Sequence, residues 1–317
     1  MKIAAIILLL LSLSSTSVVV GQFQQHSPSN SEEEESDAVI KVTTVNVGLP
    51  VTVFNEKGQF VPNLKRDNFR VFENNRPQPI LEFQAQSDLP LNVALLMDTS
   101  TSVRNRLEFE KVAIKQFLGG VLQGSRDRVS FFTFDNTIQL REDFTNDIPK
   151  LLKTVDEIKV AGGQTSLYDA IHKVCREKMS RSSSRRRVIV AITDGADTNS
   201  VHTLDQAITI AQRTETSVYG ISTKGGSVFR VEGSPYLNAD DRDLRKLCRD
   251  TGGDVFFPDS PEELNAAFRL VTEFLRNQYW LVYEPSAGTD GKYREIEVRI
   301  VGKKGLSALT RRGYVAK

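Results

Sequence analysis

Five oxygen-bearing side chains lie at three positions where the chain is expected to turn, and their types suit a hard metal ion. Asp98, Ser100 and Ser102 follow an apolar run at a spacing of two, which in an extended segment places all three side chains on one side. Thr165 follows two glycines at the start of a helical pattern, and Asp194 follows a second apolar run. Two carboxylates and three hydroxyls favour Mg²⁺, with Mn²⁺ or Ca²⁺ as alternatives, over Zn²⁺.

A cation held mostly by neutral hydroxyls keeps much of its positive charge. It can therefore attract one more anionic oxygen from outside the chain, such as the carboxylate of an acidic side chain on a partner protein. The residues alone thus predict a metal-dependent binding site for an acidic protein ligand.

The segment that carries these residues, 91–275, alternates between strand-like and helical patterns. The expected strands are Leu91–Met97, Arg128–Phe134, Val188–Thr193, Ser217–Ile221 and Asp254–Phe257, with a short edge strand at Thr137–Leu140. The expected helices are Val103–Leu118, Ile148–Ile158, Leu167–Met179, Leu204–Arg213, Asp241–Asp250 and Pro261–Leu275. This alternation predicts an α/β fold with a doubly wound, mostly parallel sheet. Ligands of such sheets bind at the carboxyl ends of the strands, where the five side chains fall.

The segments on either side, 38–90 and 276–317, are rich in strand patterns. Before the α/β segment these are Val39–Val47, Val51–Phe54, Asn68–Phe72 and Ile80–Gln84, and after it Gln278–Tyr283, Arg294–Ile300 and Ala308–Tyr314. The strands of 38–90 are too few to form a stable β-sandwich by themselves. We expect the two sets to pair into one small β-sandwich in which the α/β domain is inserted; the alternative is two separate β appendages.

The amino terminus has the pattern of a secretory signal peptide. Lys2 precedes the apolar run Ile3–Leu11, and small residues lead to an expected cleavage site near Gly21, so residues 1–21 are predicted to be removed on export. The run is shorter than the roughly 20 residues of a membrane span, which disfavours an uncleaved anchor. Residues 22–37 are polar, include the acidic run Glu32–Glu35, and are predicted to be a disordered linker.

Composition excludes several classes of function. The 41 basic and 40 acidic residues nearly balance, which argues against a nucleic-acid binder with a basic face. Two cysteines and three histidines are too few for a cysteine–histidine zinc cluster, and they disfavour haem or an iron–sulfur centre. No later stretch is long and apolar enough to span a membrane, so we expect an exported protein without a transmembrane segment.

The three site segments resemble the metal-ion-dependent adhesion site of von Willebrand factor type A domains. They are Asp98–Ser102 (DTSTS) after a strand, Gly163–Thr165 (GQT) before a helix, and Thr193–Gly195 (TDG) after a buried strand. This resemblance covers about residues 89–275, and the flanks resemble a related family common in acidobacterial proteomes, which is chiefly uncharacterised. It implies a Rossmann-like fold, a bound Mg²⁺ and an adhesion function.

The resemblance also implies a role for each site residue. Ser100 and Ser102 would coordinate the metal directly, Thr165 directly or through water, and Asp98 and Asp194 through water. Without the resemblance, Asp98, Ser100 and Ser102 have a simpler interpretation as caps of the helix expected at Val103.

Other polar residues near these segments are interpreted structurally. Ser166 and Asp169 form a predicted capping box at the helix after Thr165. Three further acids, Asp197, Glu142 and Asp143, are interpreted as ordinary loop carboxylates.

A catalytic function finds little support. A Ser–His–Asp hydrolase can be drawn from Ser100 with His172 or His202, but no G-x-S-x-G elbow is present and neither histidine has an evident partner in the sequence. A phosphotransferase with Asp98 as nucleophile is expected to have a second acid two residues later, and that position is Ser100. We therefore predict that the protein is not an enzyme.

Three remaining features leave alternatives open. The basic run Arg181–Arg187 is interpreted as a solvated loop rather than a dock for an acidic polymer. Cys175 and Cys248 are either a disulfide or two buried thiols. The irregular stretch Gly225–Asn238 is a candidate rim for partner selection.

The alternative function is that of an envelope structural or assembly protein whose β-domain makes the contacts, with the metal only stiffening the loops.

Overall fold

The computed structural model describes residues 46–85, 89–159, 162–194, 197–223, 239–285 and 290–316. These residues belong to one compact unit, Thr44–Lys317. The predicted signal peptide at 1–21, the linker at 22–37 and the candidate rim at 225–238 lie outside the described residues. Within the described part, no helix has both the length and the apolar composition needed to cross a membrane.

The described strands and helices follow in a regular order along the chain. The strands are β1 (Val47–Asn55), β2 (Phe69–Glu73), β3 (Arg76–Gln78), β4 (Ile80–Gln84), β5 (Leu91–Asp98), β6 (Arg128–Phe134), β7 (Ile138–Thr145), β8 (Arg186–Thr193), β9 (Thr216–Ser222), β10 (Val255–Phe256), β11 (Tyr279–Tyr283), β12 (Tyr293–Ile300), β13 (Leu306–Leu309) and β14 (Gly313–Val315). The helices are α1 (Leu107–Val121), α2 (Ile148–Asp156), α3 (Leu167–Glu177), α4 (Leu204–Arg213), α5 (Ala239–Thr251) and α6 (Pro261–Arg276).

The central sheet has six strands in the order β10-β9-β8-β5-β6-β7. Its strands are parallel except for β7, which pairs antiparallel with β6 at one edge. Every residue of β5 is buried, as the apolar run predicts for a strand covered on both faces. The predicted α/β class with a doubly wound, mostly parallel sheet is confirmed.

Alternate residues of β5 pack against helices on opposite faces of this sheet. Val93, Leu95 and Met97 belong to an apolar cluster with residues of α1, α2 and α6. Ala94 and Leu96 belong to a second cluster with residues of α3, α4 and α5. The strand ends are thereby held between two helical layers, which gives the loops at the carboxyl edge a rigid base.

Two four-stranded antiparallel sheets are built from both flanks of the α/β segment, in the orders β13-β1-β11-β4 and β14-β12-β2-β3. Strand β1 pairs with β11, with Leu49 opposite Leu281, and β2 pairs with β12, with Val71 opposite Val298. A third apolar cluster draws residues from both sheets. Strands before and after the α/β segment therefore pair with one another, while the exact domain boundaries stay a prediction.

A buried acid links these two sheets. Glu73 on β2 accepts hydrogen bonds from the hydroxyls of Tyr283 on β11 (2.8 Å) and Tyr314 on β14 (2.9 Å). Because Tyr283 lies in one sheet and Glu73 in the other, this contact fixes how the two sheets face each other.

Two predicted elements are wrong in detail. The strand expected at Ala308–Tyr314 is two strands, β13 and β14, in different sheets. Between them the buried Arg311 donates a hydrogen bond to the carbonyl of Gly48 (3.0 Å), so the chain crosses from one sheet to the other there. The helix expected from Val103 begins only at Leu107, because Thr101–Val103 form a short 3₁₀ helix first.

One acid on α1 lies on the apolar face of its helix. Glu110 is fully buried at a position between Leu107 and Ile114, and its carboxylate interacts with the hydroxyl of Thr223. Burial raises its pKa from 4.5 to about 7, an effect that the nearby Thr223 hydroxyl offsets only in part. A buried carboxylate of this kind is expected to destabilise the fold when it ionises.

We expect Glu110→Gln to remove a pH-dependent loss of stability. The folded pKa lies above the unfolded one, so the stabilising contribution of the proton is complete below about pH 4.5 and is lost as the pH rises through 7. At about 1.4 kcal/mol for each pKa unit, the loss is up to about 3 kcal/mol. Urea unfolding at pH 5 and pH 8 measures it. Glu108→Gln, exposed on the same helix, should keep the wild-type pH dependence; the same dependence in Glu110→Gln would contradict this account.

Candidate metal centre

Asp98 ends strand β5 and is held by donors from two directions. Its side chain is fully buried; Oδ1 accepts from the backbone N–H of Ser100 (2.8 Å) and Oδ2 accepts from the hydroxyl of Thr193 (2.9 Å). Thr193 ends β8, the parallel neighbour of β5. Thr193 belongs to the TDG segment, and its side chain joins the ends of the two strands, a role that the motif alone does not reveal.

The two serines of the first loop present their hydroxyls together. Ser100 Oγ and Ser102 Oγ lie 3.0 Å apart, as the spacing of two predicts. Ser100 makes no side-chain cap on the 3₁₀ helix that follows, and α1 begins after Arg106, so the alternative of a simple helix cap is wrong.

The glycine loop before α3 lies directly against this first loop. The Gly163 N–H donates to Thr101 Oγ1 (2.9 Å), and the Gly162 N–H donates to the Thr99 carbonyl (3.1 Å). Both glycines have positive φ angles, +86° and +95°, and a Cβ on Gly163 would lie 2.9 Å from the amide nitrogen of Asn136. This conformation and this close approach require glycine, and they bring the segment of Thr165 to the first loop.

The loop after β8 is fastened to the Thr165 backbone. The Thr165 N–H donates to Thr198 Oγ1 (3.0 Å), and the Thr165 carbonyl accepts from the N–H groups of Thr198 (2.9 Å) and Asn199 (3.1 Å). Asp194 begins this loop, immediately after Thr193. All three segments predicted to form the site are therefore tied to one another by hydrogen bonds at the carboxyl edge of the sheet.

Negative charge accumulates at this edge. Burial raises the pKa of Asp98 to about 6, hydrogen bonds from Ser100 and Thr193 lower it, and the charge of Asp194 raises it again. The charges of Asp98 and Asp194 also raise the pKa of Glu110. A cation at this position would relieve the repulsion among these carboxylates.

The donor set fits a small, hard divalent ion. Adjacent oxygens of an octahedron with Mg–O distances of 2.0–2.1 Å lie about 3 Å apart, and the Ser100 and Ser102 hydroxyl oxygens are 3.0 Å apart. Within the described part of the chain, no group of three histidine, cysteine, aspartate or glutamate side chains is placed to hold a metal. A metal at this edge therefore needs the serine and threonine hydroxyls, and the ligand roles of the five residues stay a prediction.

The predicted capping box at α3 is wrong. Ser166 makes no side-chain cap, and its hydroxyl instead accepts from the side-chain amide of Asn199 (2.9 Å). Asp169 accepts from the backbone N–H groups of Val201 (3.0 Å) and His202 (2.9 Å). The loop after β8 lies over the start of α3 and uses these side chains, a long-range contact that a local motif does not reveal.

The two histidines considered for catalysis pair with each other. The rings of His172 and His202 stack at 3.7 Å, and His202 Nδ1 lies 2.6 Å from Asp169 Oδ1. His202 therefore has a carboxylate partner, 33 residues away in the chain, that no local sequence pattern reveals. The Ser100 hydroxyl lies 3.0 Å from the Ser102 hydroxyl, and the two histidines contact each other and Asp169, so the structure gives the hydrolase alternative no support.

The other acids near the site have structural contacts. Asp197 accepts from the Ser200 hydroxyl (2.6 Å) and from the Tyr168 N–H (3.2 Å), which shapes the loop after β8. The last two acids form ion pairs away from the three loops: Glu142 with Lys150 (2.8 Å) and Asp143 with Lys178 (2.7 Å).

The basic run and the cysteines also have defined environments. Arg186 is buried and donates to the Leu89 carbonyl (3.0 Å), and Arg187 donates to the Thr214 carbonyl (2.8 Å), so a solvated loop is wrong for these two residues. They brace the amino end of β8. Cys175 and Cys248 are buried free thiols.

Comparisons with known proteins agree with this architecture. The sequence model of the von Willebrand factor type A domain matches residues 92–269. An uncharacterised protein of Borreliella burgdorferi is 26% identical over 149 residues, which cover 44% of this chain and 43% of that protein. The chain thus matches less than half the length of that relative.

Two solved structures align with more than half of this chain at low sequence identity. An aerotolerance-related membrane protein from Bacteroides fragilis is 18% identical, with a TM-score of 0.45, over 58% of this chain and 98% of that one. Proximal thread matrix protein 1 from the mussel byssus, solved with a zinc-occupied MIDAS motif, is 14% identical, with a TM-score of 0.46, over 60% of this chain and 49% of that one. Because the family's sequence model spans more than half of the chain, including all three site loops, the chain belongs to the von Willebrand factor type A domain family.

Proposed function

We propose that this protein is an exported, non-enzymatic binding module that uses Mg²⁺ to capture an acidic side chain of a protein partner. The metal would be held by the five residues predicted from the sequence: Asp98, Ser100, Ser102, Thr165 and Asp194. The observation that supports this most is the set of direct hydrogen bonds among the three loops that carry them. Membership of an interaction-domain family agrees with it.

The chain's own residues perform distinct tasks in this proposal. Ser100 and Ser102 supply neutral oxygens at the spacing of neighbouring metal ligands. Asp98 supplies negative charge at a fixed orientation, because Ser100 N–H and the Thr193 hydroxyl each hold one of its oxygens. When bound, the ion would supply an electrophilic position for an outside carboxylate, since the hydroxyls leave much of its charge uncompensated.

Export rests on the sequence alone. The apolar run Ile3–Leu11 after Lys2 has the pattern of a secretory signal peptide. Among the described residues, no helix is long and apolar enough to cross a membrane. We place the protein outside the cytoplasm, as secreted, periplasmic or envelope-associated.

Titration with Mg²⁺ tests the metal site. We expect saturable binding to the wild type and at least about tenfold weaker binding to Ser102→Ala and Asp98→Asn, because each variant removes a proposed oxygen ligand or its charge. Isothermal titration calorimetry with Mg²⁺, Mn²⁺ and Zn²⁺ also identifies the preferred ion. The control is Ser183→Ala, a loss of the same hydroxyl from an exposed residue ahead of β8. Equal binding by all variants, or none by the wild type, contradicts the proposal.

Metal affinity should fall in acid. The pKa of Asp98 in the metal-free protein is about 6, so protons compete with the cation for this carboxylate below that pH. We expect the association constant for Mg²⁺ to drop about tenfold between pH 7 and pH 5. Titrations at the two pH values measure it, and Asp98→Asn at pH 7 should bind as weakly as the wild type at pH 5, or more weakly. A constant affinity from pH 7 to pH 5 would show that Asp98 is not a site residue.

Partner capture tests the function itself. Immobilised protein should retain a partner from an envelope extract in Mg²⁺ and release it in EDTA, because the outside carboxylate needs the ion. Ser102→Ala should lose this retention and Ser183→Ala should keep it. Retention that survives both EDTA and Ser102→Ala would instead favour the structural role in which the β-sheets make the contacts.

A further inference from the structure

An open pocket of about 420 Å³ lies at the amino edge of the central sheet, at the other end of the strands from the candidate metal centre. Its walls come from the segments that lead into β5, β6 and β8, which are neighbouring strands of the sheet. Because these strands are parallel, their amino ends meet at this edge. None of the five residues proposed to hold Mg²⁺ lines the pocket, so its chemistry does not depend on the proposed function.

The pocket is lined by three arginines, Arg126, Arg128 and Arg185, and no aspartate or glutamate is found among its described lining residues. Arg126 has an interaction of its own. Arg128 and Arg185 are exposed, and neither forms an ion pair with another described residue. The two come from the strands on either side of β5, so two uncompensated positive charges face one pocket. Such an arrangement attracts anions.

The acid that lies between Arg126 and Arg128 in the sequence does not neutralise them. Asp127 is buried, and its Oδ1 accepts from the N–H of Leu91 (2.9 Å). Its Oδ2 accepts from the N–H of Gly124 (2.7 Å) and from the guanidinium of Arg276 (2.6 Å). Both carboxylate oxygens are therefore used by groups other than the pocket arginines.

Hydrogen bonds between the three segments hold the base of the pocket. The Asn92 side-chain amide at the start of β5 donates to Ser182 Oγ before β8 (2.8 Å). The Ser184 hydroxyl donates to the Pro90 carbonyl before β5. The backbone that carries the arginines is thus positioned before any ligand binds, which reduces the entropy lost on binding.

We propose that this pocket binds a phosphate group. A guanidinium donates pairs of N–H bonds to phosphate oxygens, and the two negative charges of a phosphate monoester match the charges of Arg128 and Arg185. A carboxylate has one charge and two oxygens, so it would satisfy only one of these arginines. The phosphate of a small molecule and that of a lipid headgroup share this chemistry.

Titration of the full chain with sodium phosphate tests the proposal. The experiment is done in EDTA, which separates it from the Mg²⁺ site, and at pH 8, where phosphate is largely a dianion. Amide chemical shifts of Asn92, Arg128 and Ser184 should change saturably in NMR spectra. NaCl at matched ionic strength should not reproduce the change, and acetate should bind about tenfold more weakly or less. No saturable change, or equal binding of acetate, overturns the proposal.

Two variants assign the binding to the pocket. Arg128→Gln and Arg185→Gln should each weaken phosphate binding about tenfold or more, since charged hydrogen bonds are lost. Arg269→Gln, which removes an exposed arginine on α6 outside the pocket lining, should bind as the wild type does. Thermal unfolding confirms that each variant is folded. Wild-type affinity in both Arg128→Gln and Arg185→Gln would show that phosphate does not bind in this pocket.

A second arm identifies the source of the phosphate. Glycerol 3-phosphate is compared with vesicles of phosphatidylcholine that contain phosphatidic acid. Sedimentation with these vesicles that is lost in Arg128→Gln indicates a lipid headgroup, whereas binding of glycerol 3-phosphate alone indicates a small phosphorylated molecule. Binding of neither contradicts the proposal.

Discussion

The site depends on one buried carboxylate whose two oxygens are held by donors from adjoining parallel strands. Asp98 at the end of β5 accepts from Ser100 N–H and from the Thr193 hydroxyl at the end of β8. These two bonds fix the carboxylate relative to both strand ends without adding any positive charge. The buried carboxylate can therefore still bind a cation. Burial without a counter-ion disfavours its charged form, which raises its pKa.

The rest of the fold makes that arrangement rigid. Helices lie on both faces of β5 and β8, whose residues are buried except for the half-buried Arg187, so the strand ends are held in place. At the opposite edge of the sheet, Arg276 at the end of α6 pairs with Asp127 at 2.6 Å. Three residues later, at Tyr279, the chain enters β11 of the flanking sheets. The last helix thus connects the edge that carries the candidate site with the strands built from both flanks.

Much of this architecture is predictable because it depends on local patterns. The apolar run before Asp98 predicts a doubly covered strand, and the spacing of Ser100 and Ser102 predicts hydroxyls on one side; both features are local in the chain. The position of Asp194 could be predicted from the rule that parallel strands share one carboxyl edge, and that of Thr165 from its glycine loop before a helix and the resemblance of this loop to the family motif.

The incorrect predictions concern contacts between segments distant in sequence. Asp169 reads as a helix cap but holds the loop after β8, including His202, 33 residues away. Arg186 reads as part of a solvated basic run but lies buried beside Leu89. Glu110 falls on the inward face of α1, and this position in the helical period is the signal that could have identified it as a buried acid.

A crystal structure of the protein grown with Mn²⁺, with anomalous data collected at the manganese edge, tests the central claim most directly. The account predicts one strong anomalous peak bonded to Ser100 Oγ and Ser102 Oγ, with Thr165, Asp98 and Asp194 around it directly or through water. The absence of a peak at saturating Mn²⁺, or a peak elsewhere with the three loops unchanged, would contradict it.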